Sequence, residues 1–398
     1  MAEQRARTLA GHPVVRAQVE RTRAELAGSR AGRTADDRAD LDAYLAELTH
    51  CGALFVVSSD PARPRVLWNL YPGAQSGLPN PDTVYRYIRV APEARYEVTG
   101  RRGTSDDVSF QVTDAGPETA GRLNKIMGLL DTAGLQTAAD GTFTITLGPQ
   151  AAQGARNHLQ LPPEARQIMI RDTMSDWSQT PMSLTVRRVD GPPAGPEPGD
   201  DELAARTAAV VATTAGLWVR IPEQYNYIVP TNTLPPARPT GSGGLQGQYI
   251  TTGTFRLADD EALVVTAGKG TAKYLGFHVG SNWYIAYDYR DHTSSLTSAQ
   301  AVPNPDGSYT WVVALRDPGH ANWIDPVGHH EGLTIMRWQG LSAPLPPGDS
   351  PRVALVKLAG LAAALPGGSP TASAQDRQPG AERRRQQVDA RMAALTRS

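Results

Sequence analysis

The chain has almost no cysteine: Cys51 is the single one among 398 residues. One thiol excludes an intramolecular disulfide and any cysteine-rich zinc site. Its charge is balanced as well, with 39 Lys and Arg against 40 Asp and Glu. No general field is therefore available to attract nucleic acid or an anionic membrane, and neither is expected as a partner. No window approaches the roughly 20 apolar residues needed to span a bilayer. The opening MAEQRARTLAGHPVVRAQVERTRAEL has no apolar stretch of the export-signal kind, so a cytoplasmic, reducing location is expected. GxSxG, a Walker loop, HExxH and a GxGxxG following a strand are all missing, which argues against α/β hydrolases, P-loop enzymes, zincins and Rossmann dehydrogenases. GSGGLQG at 241–247 reads as a flexible loop, and no short internal repeat is evident.

What is present suits folded domains. Forty per cent of the residues are hydrophobic, and the length allows two domains of ordinary size. Residues 1–50 read as a helical segment, broken at Gly28–Gly32 and restarted at Thr34, a good cap. Leu41, Tyr44, Leu45 and Leu48 follow helical spacing and mark its buried face. A first β-rich lobe is expected over 51–190, with strands at 83–90, 96–99, 108–112, 142–147 and 183–189, and with short helices at 122–130 and 163–173. Residues 191–247 form a linker around a helix at 201–219. A second lobe at 248–362 has strands at 249–256, 262–266, 274–279, 284–289, 309–315, 333–339 and 352–358. Residues 363–398 read as a flexible tail with a basic end. The fold class expected is mainly β with helices, α+β, as two β-sandwich or jelly-roll-like lobes.

Three phrases carry a resemblance: NPDTVYRYIRV (80–90) with YEVTGRRG (96–103), IMIRDTMSDWSQTPMSLTVRRVD (168–190), and DPGHANWIDPVGHHEGLTIMRWQGL (317–341). In order and wording they are similar to DUF1214 proteins over roughly 35–360. The resemblance implies a β-sandwich-like fold. It implies no activity and no catalytic residues.

The same phrases concentrate candidate functional groups. Asn80 and Asp82 suit a turn, with Tyr85 and Arg86 on the strand that follows. The bland reading is a capped turn with packed side chains; the sharper one places Asp82 as an acid/base and Arg86 at a pocket mouth. Arg171, Asp172 and Asp176 would form an intrahelical ion-pair set if 163–173 is helical. Alternatively Asp176 is an acid/base, with Arg171 and Trp177 binding substrate. His320, Asn322, Trp323, Asp325, His329, His330 and Glu331 form a third cluster, in which His320 and Asp325 are further candidates for proton transfer. Their spacing matches no standard zinc signature, so no cofactor is expected and a divalent metal is a minor alternative. Trp283, Tyr287 and Arg337 complete the candidate substrate-binding set; the aromatics serve equally as cross-strand packing. DDRAD (Asp36, Asp37, Asp40) has the spacing of a magnesium–diphosphate motif, yet acids in a first helical turn are explained by the helix dipole alone.

Together these groups suggest a small-molecule enzyme of lyase, isomerase or hydrolase type. It would work by acid/base residues in a β-sandwich pocket without a redox cofactor, on an apolar terpenoid- or polyketide-like substrate. The alternative is a non-catalytic protein binding carbohydrate or lipid. A homo-oligomer is compatible with either.

Overall fold

The computed structural model describes residues 2–116, 121–241 and 244–395. Residues 242 and 243 of the expected loop, and the last three of the expected tail, lie outside them.

Helices α1 (Ala2–Ala10), α2 (Pro13–Ala27) and α3 (Ala35–Val57) precede the first lobe. The Thr34 hydroxyl caps α3 by accepting the Asp37 N–H at 3.2 Å, which satisfies one of the orphan donors of a helix start. Leu41, Tyr44, Leu45 and Leu48 are buried, as their spacing predicts, against Val211 and Ala215 of the long helix α4 (Asp200–Tyr225) and against Trp283.

The first lobe is a sandwich of two sheets. One has the order β1 (Leu67–Asn69), β2 (Thr83–Arg89), β8 (Gln167–Thr173), β4 (Asp107–Thr113), β5 (Ile126–Asp131). The other has the order β7 (His158–Gln160), β6 (Thr142–Gly148), β3 (Arg95–Arg101), β9 (Ser183–Asp190). Ile88, Phe110, Val112 and Ile170 of the first sheet face Val98, Phe143, Ile145 and Leu147 of the second in one core. In β6 alternate residues are buried and exposed, the period of a sheet with one wet face.

The second lobe repeats this topology strand for strand. Its five-stranded sheet runs β10 (Arg238–Pro239), β11 (Tyr249–Arg256), β17 (Glu331–Gln339), β13 (Tyr274–Gly280), β14 (Ser295–Thr297). Its four-stranded sheet runs β16 (Trp323–Ile324), β15 (Tyr309–Ala314), β12 (Glu261–Ala267), β18 (Arg352–Lys357). Even the unusual parallel pair recurs, as β6 with β7 and as β15 with β16. The sequence repeats too: Val98, Thr99, Gly103, Thr104, Phe110 and Val112 return, at one constant offset, as Val265, Thr266, Gly270, Thr271, Phe277 and Val279. The strands of the described residues therefore form two copies of one nine-strand sandwich. The central strand of each larger sheet is its eighth strand, β8 or β17. Phe277, Trp311 and Trp338 fill the second core; full burial of a phenylalanine contributes about 1.5–3 kcal/mol relative to exposure.

The fold is α+β and mainly β, with six α-helices among the described residues and mostly antiparallel sheets. Several elements differ from the sequence reading. The segments expected as helices at 122–130 and 163–173 are strands β5 and β8 over most of their length. Tyr284–Tyr289, expected as a strand, is a loop; its Tyr284 N–H donates to Ser281 O and its Tyr284 O accepts Leu78 N–H. The expected tail carries a short helix α5 (Leu361–Ala364) and a long one, α6 (Ala374–Leu395). Arg384 anchors α6 by donating to Tyr289 O at 2.7 Å and to the Ser295 hydroxyl at 2.6 Å. No helix among the described residues is long and apolar enough to cross a membrane.

Candidate functional site

Between the two larger sheets lies a half-enclosed cavity of about 170 Å³. Its walls come from both sandwiches and from the connecting segments. Tyr85, Tyr87, Met169 and Arg171 come from β2 and β8; Ile250, Arg337 and Gln339 come from β11 and β17. Trp218 of α4, with Leu78 and Leu245, supplies apolar surface, while Asn80, Asn124, Thr240 and Gln248 supply neutral polar groups. Gly77 belongs to the wall because any side chain there would meet the Trp218 ring at 2.6 Å, and its φ of +82° is the left-handed region that glycine adopts freely. Among the described residues no Asp or Glu lines the cavity.

Each of the three phrases sends a residue here: Asn80 and Tyr85 from the first, Arg171 from the second, Arg337 from the third. The Tyr85 hydroxyl accepts the Asn80 backbone N–H at 3.0 Å. The Asn80 amide donates to the Tyr274 hydroxyl at 2.9 Å, tying the first lobe to the second. Arg171 is 9% exposed; it donates to the side chain of Gln111. Burial holds its pKa below the usual arginine value; Tyr85 and Tyr87 oppose the shift and the Arg337 charge adds to it. Arg337 donates to His278 Nδ1 at 3.2 Å. Because an arginine only donates, this His278 nitrogen is the unprotonated one. Burial, then Arg337, pushes the His278 pKa well below its ordinary value, so the ring is neutral.

The remaining candidates lie elsewhere. Asp82 is completely buried beside the cavity rather than in it, and it accepts Trp177 Nε1 at 2.7 Å and the Tyr274 hydroxyl at 2.8 Å. Burial raises its pKa, opposed by Tyr274, Trp177 and the charges of Arg384 and Arg391. Trp177 lies under Arg384, 4.2 Å from its ring centre, and meets Tyr289 edge-on. Arg86 forms a buried ion pair with Asp172 at 2.7 Å inside the first lobe. On a strand, Arg171 and Asp172 face opposite sides of the sheet, so the intrahelical ion-pair set expected from the sequence does not form. Asp176 sits exposed in a turn, accepting the Ser178 N–H at 2.8 Å.

The histidine-rich loop is distributed over several structural contacts. His320 is buried, accepts the Asn322 N–H at 3.1 Å, and has its pKa lowered to about 4 by burial and by Arg377. Asn322 donates to Val302 O and Thr310 O, each at 2.8 Å, and so fastens a turn. Trp323 donates to Ala314 O at 2.8 Å, and Asp325 pairs with His292 at 2.8 Å. Trp283 stacks on Tyr44, and Tyr287 stacks on His329. Among the described residues no group of three or more His, Cys, Asp or Glu is placed to hold a metal ion.

Sequence reasoning missed Gln111, His278, Gln248, Gln339 and Trp218 at the site. The repeated VSFQV (108–112) and LGFHV (275–279) would have pointed to the first two. A second, wider concavity of about 730 Å³ lies on the outer face of the smaller first-lobe sheet. It is an open threonine-rich surface, lined by Thr99, Thr142, Thr144 and Thr185, and its one ionisable lining residue, Arg101, is exposed.

The model of the DUF1214 family, described as a protein of unknown function, matches residues 89–172, which hold Gln111 and Arg171. No curated protein matches the chain. A crystal structure of an uncharacterized protein from Burkholderia cenocepacia is similar over 89% of this chain and 99% of that one, with a TM-score of 0.77 and 29% identity. A Vibrio parahaemolyticus protein is similar over 78% of this chain and 97% of that one, with a TM-score of 0.46 and 10% identity.

Proposed function

We propose, from the premise that this chain carries a DUF1214 region whose family description assigns no activity, that the protein binds a compact small molecule in the cavity between its lobes. The observation that carries this is the cavity itself. Two sheets of one repeated topology meet there, enclosing apolar walls with convergent amides and guanidinium groups, the composition typical of ligand sites. Trp218, Met169, Leu245 and Ile250 would cover a carbon skeleton, and Asn80, Gln248 and Gln339 would orient its polar atoms.

Among the described residues no carboxylate lies at this place to serve as an acid/base. In this cavity a proton-transfer role would fall to the Tyr85 hydroxyl, which already accepts the Asn80 N–H and keeps its own proton to donate. The enzyme reading therefore rests on Tyr85, and the binding reading does not need it.

Ile250→Trp would fill the cavity from β11 without touching either sandwich core. Ligand-observed NMR with a fragment mixture should show binding to the wild type that weakens at least about tenfold in this variant, with secondary structure unchanged. Fragments bound equally well by both proteins would remove the cavity from consideration. Mass spectrometry of bound fragments then separates the two readings. Conversion abolished by Tyr85→Phe supports chemistry, and recovery of every fragment unchanged leaves a binding protein.

A further inference from the structure

The two arginines in the cavity are products of the same structural repeat. Arg171 stands on β8 opposite Ser109, the third residue of β4, and donates to Gln111 two positions on. Arg337 stands on β17 opposite Gly276, the third residue of β13, and donates to His278 two positions on. Gln111 and His278 occupy the same place in the repeated sequence segment. Each sandwich thus delivers one guanidinium from its central strand, steadied by an acceptor on the neighbouring strand, and the two meet at one cavity.

Among the described residues neither positive charge has a carboxylate partner. Gln111 is uncharged, and His278 is held neutral by burial and by Arg337. No acid among the described residues lines the cavity. An arginine stays protonated in such surroundings. Two like charges sharing a partly dry hollow are costly without a counter-charge. The same chain handles its other buried arginines differently. Arg86 has Asp172 at 2.7 Å, and the charge of Asp82 acts on both Arg384 and Arg391. Among the described residues no carboxylate is placed to meet the two guanidinium groups of the cavity.

We infer that the cavity holds an oxyanion, the carboxylate or phosphate group of a compact organic molecule, clamped between Arg171 of one lobe and Arg337 of the other. The planar fork of each guanidinium suits a two-oxygen contact, which fixes orientation as well as charge. The carbon body then lies toward Trp218, Met169 and Leu245. This inference rests on the proposal that the cavity is the ligand site and adds the class of ligand.

The test uses the full chain at low ionic strength and four probes in calorimetric titration: benzoate, phenyl phosphate, neutral benzamide and inorganic phosphate. Benzoate or phenyl phosphate should bind at least about tenfold more tightly than benzamide, and whichever is tighter identifies the headgroup. Inorganic phosphate should bind more weakly than phenyl phosphate, because it leaves the apolar walls uncovered. In Arg171→Gln and Arg337→Gln the preference for anions over benzamide should fall to within about threefold. Arg337 lies nearer solvent, so its variant carries the comparison if Arg171→Gln does not fold. Benzamide binding as tightly as both organic anions would overturn the oxyanion while leaving a ligand site in place. Anion binding that persists undiminished in Arg337→Gln would overturn the clamp. No binding by any probe, together with fragment binding unaffected by Ile250→Trp, would overturn the site and the inference with it.

Discussion

A buried arginine is informative because its charge must be answered by something. Arg86 has 1% of its side chain exposed and Asp172 has none, and Asp172 also accepts the Ser105 hydroxyl at 3.1 Å and the Met182 N–H at 3.0 Å. That pair is built into the first sandwich. Replacing Arg86 with Met leaves the carboxylate buried without its partner, a change that costs about 3–5 kcal/mol. Arg337 serves the neutral His278, to which a glutamine amide can also donate, so Arg337→Gln should lie within about 1 kcal/mol of the wild type. Urea denaturation of both variants measures the difference, and an equal, large loss in Arg337→Gln would mark its charge as structural. These roles were only partly legible in the sequence. Asn80, Tyr85, Arg171 and Arg337 stand out as polar groups in turn-rich phrases, and all four line the cavity. Asp82 stands out by the same criterion but is buried to receive Trp177 and Tyr274. Residue type and local spacing do not distinguish a carboxylate that faces a cavity from one that closes an internal network.

At the scale of elements, the sequence signal is reliable where one face of a strand is wet. The threonines of β6 alternate with Phe143, Ile145 and Leu147, and that strand is visible from its period of two. All seven residues of β8 are buried, because this central strand is covered on both faces. QIMIRDT therefore shows no alternation, and a short run of that kind reads equally well as helix or strand. The start of α3 is a different case. Its acids fit the helix dipole, yet they also clasp the second lobe. Asp40 meets His329 at 2.6 Å, Asp36 and Asp259 flank His330, and Asp37 accepts the Asn282 amide at 2.7 Å. Burial opposes protonation of His329, but Asp40 outweighs it and the pKa is raised. Asp259, with Asp36, raises that of His330. A histidine whose folded value is raised stabilises the fold below the unfolded value of about 6.5 and loses that contribution as pH climbs through the folded one. Calorimetry should therefore show Tm declining as pH rises above 6.5, and Asp40→Asn should remove most of the decline. A Tm in the wild type that is level from pH 6 to pH 8 would show that the clasp does not depend on charge.

At the scale of the molecule, duplication explains both the shape and the site. One sandwich offers a single arginine on its central strand, and a second copy turned against the first encloses the space between them. The repeat escaped recognition in the sequence because its period is almost half the chain, far longer than the periods of stacked repeat arrays. Its clearest run of identities is also short, around β3, β4, β12 and β13. Two such lobes on a simple linker would unfold separately. Here Asn80 and Asp82 bond Tyr274, Leu78 N–H donates to Tyr284 O at 2.5 Å, α3 clasps the His329 loop, and Arg391 of α6 donates to Pro81 O at 2.7 Å. Ties of this number and burial predict that the lobes unfold as one cooperative unit. Trp311→Ala, a lesion wholly inside the second core, should cost about 3–5 kcal/mol. Hydrogen exchange should then show the amides of β8 in the first lobe losing protection in step with those of β17. First-lobe amides that keep wild-type protection while the second lobe exchanges freely would show two independent domains. The cavity would then be a junction between separately folding bodies rather than a site preorganised by a single fold.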